Sequence, residues 1–358
     1  MRSLGVAVVG RRFGSRVQVP ALRAAGFEVL ALVGREQEPT AYKAAKLGIP
    51  NACGSLAEAL ALPGVDAVAL ATPPDTHFAL ALEAVEAGRH VLCEKPFTVD
   101  AAQAAQLVAA IDRTGAVGAL GHEFRWNPAR AAVGAAIASG AIGGPRLATV
   151  VEYTPFLQHS DSAMAMPSWF EEPGIGGWLG ANGSHTLDQL RLWLGSYRSV
   201  SATMVVASER DRRVEDSYSA RFTMGTGTGS GIEVVLQNVG AAWTARGFIA
   251  VTGTLGTVGI DGGQAWIADG GGTRPLAAPE GSAPVGDERI ADDALDALGA
   301  YELRHYAQLA GAFRAAIEGR SIVSPVPMPT FADGLAVMRC MDAMRASAAA
   351  GGALRSVE

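Results

Sequence analysis

The segment Cys93-Glu94-Lys95-Pro96 sets a lysine between a short apolar run and a proline, a poor place for a merely solubilising charge. The preceding "HVLC" reads as a buried strand, and "DAVALATPP" before it as another, so "ATPPDTH" (71–77) and "CEKP" (93–96) end two successive strands. In open parallel sheets, ligands bind in the crevice outside the carboxyl ends of the strands. Lys95, Glu94, Thr72, Pro73 and His77 are therefore expected at that crevice. Hydride transfer to or from an alcohol carbon needs a group that handles the hydroxyl proton, and a lysine ammonium can serve. The competing employment for Lys95 is an ion pair with Glu94.

A strand, a tight turn and a helix over residues 4–25 would direct helix N-terminal N–H groups at a pyrophosphate. The three positions of the G-x-G-x-x-G fingerprint fall on Gly10, Arg12 and Ser15, with Phe13 and Gly14 in the same turn. Only the first is glycine. Ser15 is small enough for close packing of helix on strand. Arg12, however, stands where bare backbone normally approaches the phosphates, so its side chain must turn away or bind the diphosphate itself. A Rossmann-like turn that no longer binds dinucleotide is the alternative. At the end of the second strand, Gly34 occupies the neighbourhood of the acidic residue that holds an NAD ribose. Arg35 follows and suits a 2′-phosphate, so NADP is favoured over NAD, although Glu36 could supply the carboxylate.

These residues are carried by two kinds of chain. Over the first 120 residues, short β-branched runs alternate with helical stretches, the pattern of a parallel sheet covered by helices. Beyond residue 122, after the helix "NPARAAVGAAIASGAIG", come alternating strands without intervening helices, including "RLATVVEYT", "DSYSARFTM", "GIEVVLQNV" and "FIAVTGTLGTVGID". They imply a mostly antiparallel, open-faced sheet in an α+β domain. Two helices are expected to close the chain, and the Gly-rich region 262–286 is expected to be a loop of low order. The expected division is 1–121, a Rossmann dinucleotide-binding domain, and 122–358, a domain for substrate and oligomerisation. An exposed sheet face predicts a homodimer or homotetramer.

With 49% hydrophobic and 18% charged residues, the chain has the composition of a compact globular protein. Its formal charge of −6 offers no basic stripe for nucleic acid. Cys53, Cys93 and Cys340 are too few and too widely spaced for a disulfide framework or a metal pair, and they suggest a cytoplasmic protein with reduced thiols and no metal. Arg11-Arg12-Phe13 resembles a twin-arginine export signal, but Arg23 and Glu28 interrupt any apolar region after it. No run is long and apolar enough for a membrane span.

The segments "VAVVGRRFGSRVQVPAL", "ATPPDTH", "HVLCEKPFTVD" and "GGWLGANGSHTLDQLRLWLG" resemble, in order and spacing, landmarks of the glucose-fructose oxidoreductase / inositol dehydrogenase / MocA family along nearly the whole chain. The resemblance implies NAD or NADP and oxidoreduction of a hydroxyl or keto carbon on a sugar, cyclitol or similar polyol. It implies that Lys95 is the active-site lysine and His185 its acid/base partner, an imidazole being suited to accept the alcohol proton. Asp188, one helical turn on, is expected to orient rather than react. Arg125, Tyr153 and Trp178 are candidates to bind substrate, with Trp126 and Asn127 beside them and interdomain packing as the competing use; His122 and Glu123 receive no role. Many relatives carry an aspartate four residues before the histidine, where this chain has Ala181. Ala181 and Arg12 leave open a ligand-binding or regulatory relative without turnover, and a cofactor-dependent glycosidase or lyase is a third possibility.

Overall fold

The computed structural model describes residues 3–158, 167–208, 213–280, 297–321 and 326–357. The chain divides into two compact units, the first formed by Met1–Thr98, Ala102–Trp126 and Ala283–Leu335, the second by Val99–Ala101, Asn127–Ser282 and Ala336–Glu358.

The first unit is built on six parallel strands: β1 (Gly5–Val9), β2 (Glu28–Val33), β3 (Asn51–Cys53), β4 (Val65–Leu70), β5 (His90–Cys93) and β6 (Gly118–Leu120). Their spatial order is β3-β2-β1-β4-β5-β6, the doubly wound arrangement. Strands such as β1, buried at every position, must be covered on both faces, which explains their unbroken apolar character. The helices α1 (Val19–Ala24), α2 (Gln37–Lys46), α3 (Leu56–Leu60), α4 (Pro74–Glu86) and α5 (Ala101–Thr114) connect them. Strand order reverses between β1 and β4, and there Gly10 adopts φ +126°, with room for nothing larger: an added Cβ would lie 2.4 Å from the Ala71 carbonyl oxygen. The turn after β1 enters α1 through a π-helical turn, Gly14–Gln18. Pro20 accounts for the wide turn, since it has no N–H to bond the carbonyl four residues back and its ring would crowd that carbonyl.

The second unit holds α6 (Pro128–Ala138), α7 (Ser184–Leu194) and nine strands: β7 (Pro145–Tyr153), β8 (Tyr197–Val205), β9 (Ser217–Met224), β10 (Glu233–Val239), β11 (Arg246–Gly253), β12 (Gly256–Asp261), β13 (Gln264–Asp269), β14 (Gly272–Pro275) and β15 (Arg355–Ser356). The order is β14-β13-β12-β11-β7-β10-β9-β8-β15. Only the β10–β7 pair is parallel. Alternation along β9 and β10 buries Ala220, Phe222, Val234 and Leu236 and turns Arg221, Glu233 and Val235 outward. The expected α/β-plus-α+β architecture is thus the one observed.

Two details differ from the sequence reading. The single run "FIAVTGTLGTVGID" is the hairpin β11–β12, folded at Thr254-Leu255. The Gly-rich stretch is ordered through its first part, because Gly262-Gly263 and Gly270-Gly271 are the turns of the β12–β13 and β13–β14 hairpins, with positive φ at Gly262, Gly263 and Gly272, the first residue of β14. Residues 281–286 of that stretch lie outside the described residues. Both closing helices are present: α8 (Ala297–Ile317) and α9 (Phe331–Ala349). α8 packs in the first unit on α1, where the Arg314 Nη1 donates to the Ala25 carbonyl over 3.0 Å and Phe313 stacks on Phe27. No helix among the described residues is long and apolar enough to cross a membrane.

Candidate functional site

Lys95 follows β5 at the carboxyl edge of the parallel sheet, half-buried, with a cis bond to Pro96. Beneath it lies a polar cluster that the apolar surroundings force together. Glu94 is 7% exposed and Glu123, in the short 3-10 turn Glu123–Trp126, is 2% exposed. The Glu94 carboxylate lies over Gly121, where a Cβ would come within 3.0 Å of both of its oxygens. Gln18, wholly buried in the π-helical turn, donates from Nε2 to the Leu70 carbonyl over 3.2 Å, to the Tyr306 hydroxyl over 2.8 Å and to Glu94 Oε1 over 3.4 Å. Tyr306, on α8, donates its hydroxyl to Glu94. The Lys95 backbone N–H donates to Glu94 Oε2 over 3.3 Å.

Two carboxyls so placed resist ionisation. Burial lifts Glu94 to about 7, opposed by the Lys95 charge, the Tyr306 hydroxyl and the Lys95 N–H. Burial also raises Glu123 well above the usual carboxylate range, and the neighbouring Glu94 adds to the rise while Lys95 opposes it. Glu123 Oε2 is buried with no hydrogen-bond partner among the described residues. The ammonium of Lys95 thus sits beside two buried carboxyls, of which Glu94 exchanges its proton at about pH 7 and Glu123 is shifted in the same direction.

The edge around Lys95 is held by its neighbours. His77, on α4 and 0% exposed, sets Nδ1 3.0 Å from the Pro96 carbonyl and Nε2 2.9 Å from the Thr72 carbonyl. A neutral imidazole donates to one of the two, and burial does lower this histidine's pKa. His77 therefore stands between the ends of β4 and β5, hydrogen-bonded to one carbonyl and packed against the other. Thr72 accepts from the Thr76 hydroxyl over 2.7 Å, and Pro73 and Pro74 open α4.

In the first turn, Ser15 is buried and its hydroxyl donates to the Arg11 carbonyl over 2.5 Å, while the Phe13 ring meets Tyr306 edge-on at 5.7 Å. Arg12 is exposed, so the sequence concern that its bulk blocks close approach is met by a side chain directed to the surface. The arginine that does lie along the end of β2 is Arg11: an added Cβ on Gly34 would lie 2.9 Å from its Cδ, and its Nη2 pairs with Glu36 over 3.0 Å. Arg35 is exposed beside them.

Arg125 is also engaged inside the first unit. Its Nη1 donates to the Pro327 carbonyl over 3.2 Å and its Nη2 lies 3.4 Å from Asp333. Asp333 in turn accepts from the Thr330 N–H and the Thr330 hydroxyl accepts from the Asp333 N–H, a capping box at the start of α9. Asn127 caps α6, its Oδ1 accepting from the N–H groups of Ala129 and Arg130. Trp126 is buried.

His185 and Trp178 belong to the second unit, where the π-helical turn Leu179–Gly183 leads into α7. Gly183 is required there, because a Cβ would fall 2.4 Å from the Tyr218 hydroxyl. His185 is 5% exposed, and Asp188 is buried in the same helix. Trp178 donates from its indole N–H to Asn238 Oδ1 over 2.6 Å and packs beside Phe156. Tyr153, at the end of β7, donates to Gln237 Oε1 over 3.1 Å. The residues that sequence reasoning passed over are Gln18, Tyr306, Glu152 and Asn238, while Glu123 was named there without a role; a buried amide in an apolar helix was the only signal for Gln18, and Tyr306 lies 288 residues away from it.

The chain matches two models of one family, the oxidoreductase family with an NAD-binding Rossmann fold over residues 4–122 and its C-terminal domain over 131–259. This chain belongs to the Gfo/Idh/MocA oxidoreductase family. It is 37% identical over 143 residues to the 1,5-anhydro-D-fructose reductase of Ensifer adhaerens, covering 39% of this chain and 43% of the relative. It is 36% identical over 140 residues to the D-apiose dehydrogenase of Paraburkholderia graminis, covering 39% and 37%. The chain spans about half the length, or less, of the curated relatives it matches. A solved levoglucosan dehydrogenase, in complex with NADH and L-sorbose, superposes over 100% of both chains with a TM-score of 0.83 at 21% identity, a likeness of fold.

Proposed function

We propose that this Gfo/Idh/MocA protein is an NAD(P)-dependent oxidoreductase that acts on a hydroxyl or keto carbon of a sugar, cyclitol or similar polyol. The observation that carries the reading is Lys95, held at the carboxyl edge of a doubly wound sheet over the buried Glu94 and Glu123. The names of the reductase and dehydrogenase relatives support a sugar-like substrate.

The residues present fit a dinucleotide. Gly10 brings the backbone of β1 against Ala71 at the point where strand order reverses, and Arg12 is free at the surface to meet a diphosphate rather than obstruct it. Gly10, Arg12, Phe13, Gly14 and Ser15 would hold the diphosphate, Arg35 a 2′-phosphate, and Thr72, Pro73, Glu94 and Lys95 the nicotinamide side, with His77 fixing the backbone that carries them. Because Arg11 engages Glu36, that carboxylate is less able to hold a bare ribose, which favours NADP. When bound, the nicotinamide supplies or accepts the hydride. Lys95 donates a hydrogen bond to the substrate oxygen, and His185 takes or returns the hydroxyl proton. Arg125, Tyr153 and Trp178 shape the substrate side, Arg125 through the backbone it ties down. We assign residues 1–121 to cofactor binding and 122–358 to substrate binding and assembly. We further place the protein in the cytoplasm as a homodimer or homotetramer joined through the outer sheet face, where Leu147 and Val235 are exposed, with no nucleic acid or membrane partner.

The test is a thermal-shift titration with NADP and NAD, followed by a polyol and keto-sugar panel read by reduced-nicotinamide absorbance. The account expects stabilisation of about 2.7 kcal/mol at a hundredfold excess over Kd, and turnover with at least one member. No shift with either dinucleotide would overturn it. Light scattering that shows a monomer at micromolar concentration would remove the assembly proposal.

A further inference from the structure

The stretch from Trp178 to Thr186 delivers His185, and its polar side chains converge on one carboxylate. Glu152, near the end of β7, accepts at Oε2 from the Thr186 hydroxyl over 2.7 Å and from Asn238 Nδ2 over 2.8 Å, and at Oε1 from Arg130 Nη2 over 3.4 Å. Asn238, on β10 and wholly buried, reaches the same stretch twice more: Nδ2 donates to Asn182 Oδ1 over 3.0 Å and Oδ1 accepts from the Trp178 indole over 2.6 Å. Glu152 and Asn238 stand on adjacent, paired strands, directly opposite each other in the register. Trp178, Asn182 and Thr186 are thus fixed at four-residue intervals along the turn and the first residues of α7, with His185 adjoining the last. A hydrophobic anchor alone would hold this segment against the sheet but would not fix its rotation, whereas directional hydrogen bonds to two rigid strands do.

We propose that Glu152 and Asn238 are positioning residues for His185, locking the rotation of the 178–186 segment and so the direction of the imidazole. The inference deepens the reading above and rests on it for the role of His185. It also gives a use to the alanine at position 181: the segment needs no carboxylate of its own for orientation, because the carboxylate that orients it stands on β7. Near-attack geometry is sensitive to small displacements, a shift of about 1 Å being worth about a hundredfold in rate.

The experiment uses the full chain and two substitutions that change hydrogen bonding with little change of volume, Thr186→Val and Glu152→Gln, with Thr186→Ser as the variant that keeps the hydroxyl. The first readout is the ring resonance of His185 among the six histidines, measured in isotope-labelled protein and assigned with His185→Asn. The second is kcat and KM with NADP and whichever panel sugar turns over. Thr186→Val and Glu152→Gln are expected to move the His185 resonance and to lower kcat by about 10- to 100-fold, with cofactor Kd and KM within about twofold of the parent. Thr186→Ser, which keeps the hydroxyl, should restore both. An unmoved resonance in Thr186→Val and Glu152→Gln would overturn the proposal, as would a loss that Thr186→Ser fails to rescue. Should either variant not fold, the other decides. Since the resonance needs no substrate, a chain that turns over nothing in the panel would defeat the functional reading while this inference is still decided.

Discussion

Two glutamates of this protein are held in opposite manners, one buried and one half-buried. Glu123, below Lys95, keeps a carboxylate oxygen without a hydrogen-bond partner among the described residues and has Glu94 as its nearest electrostatic burden. Glu152, in the second unit, accepts from a hydroxyl, an amide and a guanidinium. A carboxylate surrounded by donors is a structural fixture, held in one direction by its hydrogen bonds. One that is desolvated beside another acid is a proton store, held in place by the packing around it. The contrast separates groups that exchange protons from those that orient, which residue type alone cannot do.

The comparison would be broken first by His185→Asn. If Glu152 only orients, removing the base that it orients should reduce kcat/KM by about 10²- to 10⁴-fold, measured on the best panel substrate. The proton store makes a signed claim about pH. Glu94 has a folded-state pKa of about 7 against an ordinary value of 4.5, so between those values the folded protein binds more protons than the unfolded chain. Its contribution to stability therefore falls as pH rises through that window and stays unfavourable above it, by an amount on the order of 3 kcal/mol. Glu123 acts in the same direction. The melting temperature of the parent should drop between about pH 5 and pH 7.5, and Glu123→Gln should flatten the drop and melt higher at the alkaline end. A Glu123→Gln protein with the parent's pH profile would place its proton store elsewhere. Smaller still, Arg35→Ala should weaken NADP by about tenfold and leave NAD nearly unchanged in paired titrations, as one charge-assisted contact allows. At the foot of the scale, Asn127→Ala should cost about 1 kcal/mol in chemical denaturation without touching turnover, since Asn127 caps α6.

The parallel sheet was legible in the sequence because its strands are buried on both faces and the helices between them end in glycine, at Gly26, Gly48 and Gly88. Lys95 was legible for the same reason, as a charge at the mouth of such a strand. What surrounds it was not. Gln18 and Tyr306 meet across 288 residues of chain, and no local period encodes that meeting. The function of Asn127 was written in the Asn-Pro pair that opens α6, a capping signal, although the sequence reading placed it only beside the substrate candidates. The glycines at 262–263 and 270–271 look like disorder by composition and are hairpin turns by position, since each pair of strands they join is short and alternating. Glu152 reads as one more outward polar residue on an alternating strand, and only the return of α7 and β10 to it reveals its use.

The central claim is that the Lys95 ammonium serves the reacting oxygen. Single-turnover formation of reduced nicotinamide, with the parent and Lys95→Ala both saturated with NADP and the same panel sugar, tests it most directly. The account predicts equal cofactor affinity within about threefold and a hydride-transfer rate lower by about 10²- to 10⁴-fold in the variant. Equal rates in the two proteins would contradict it.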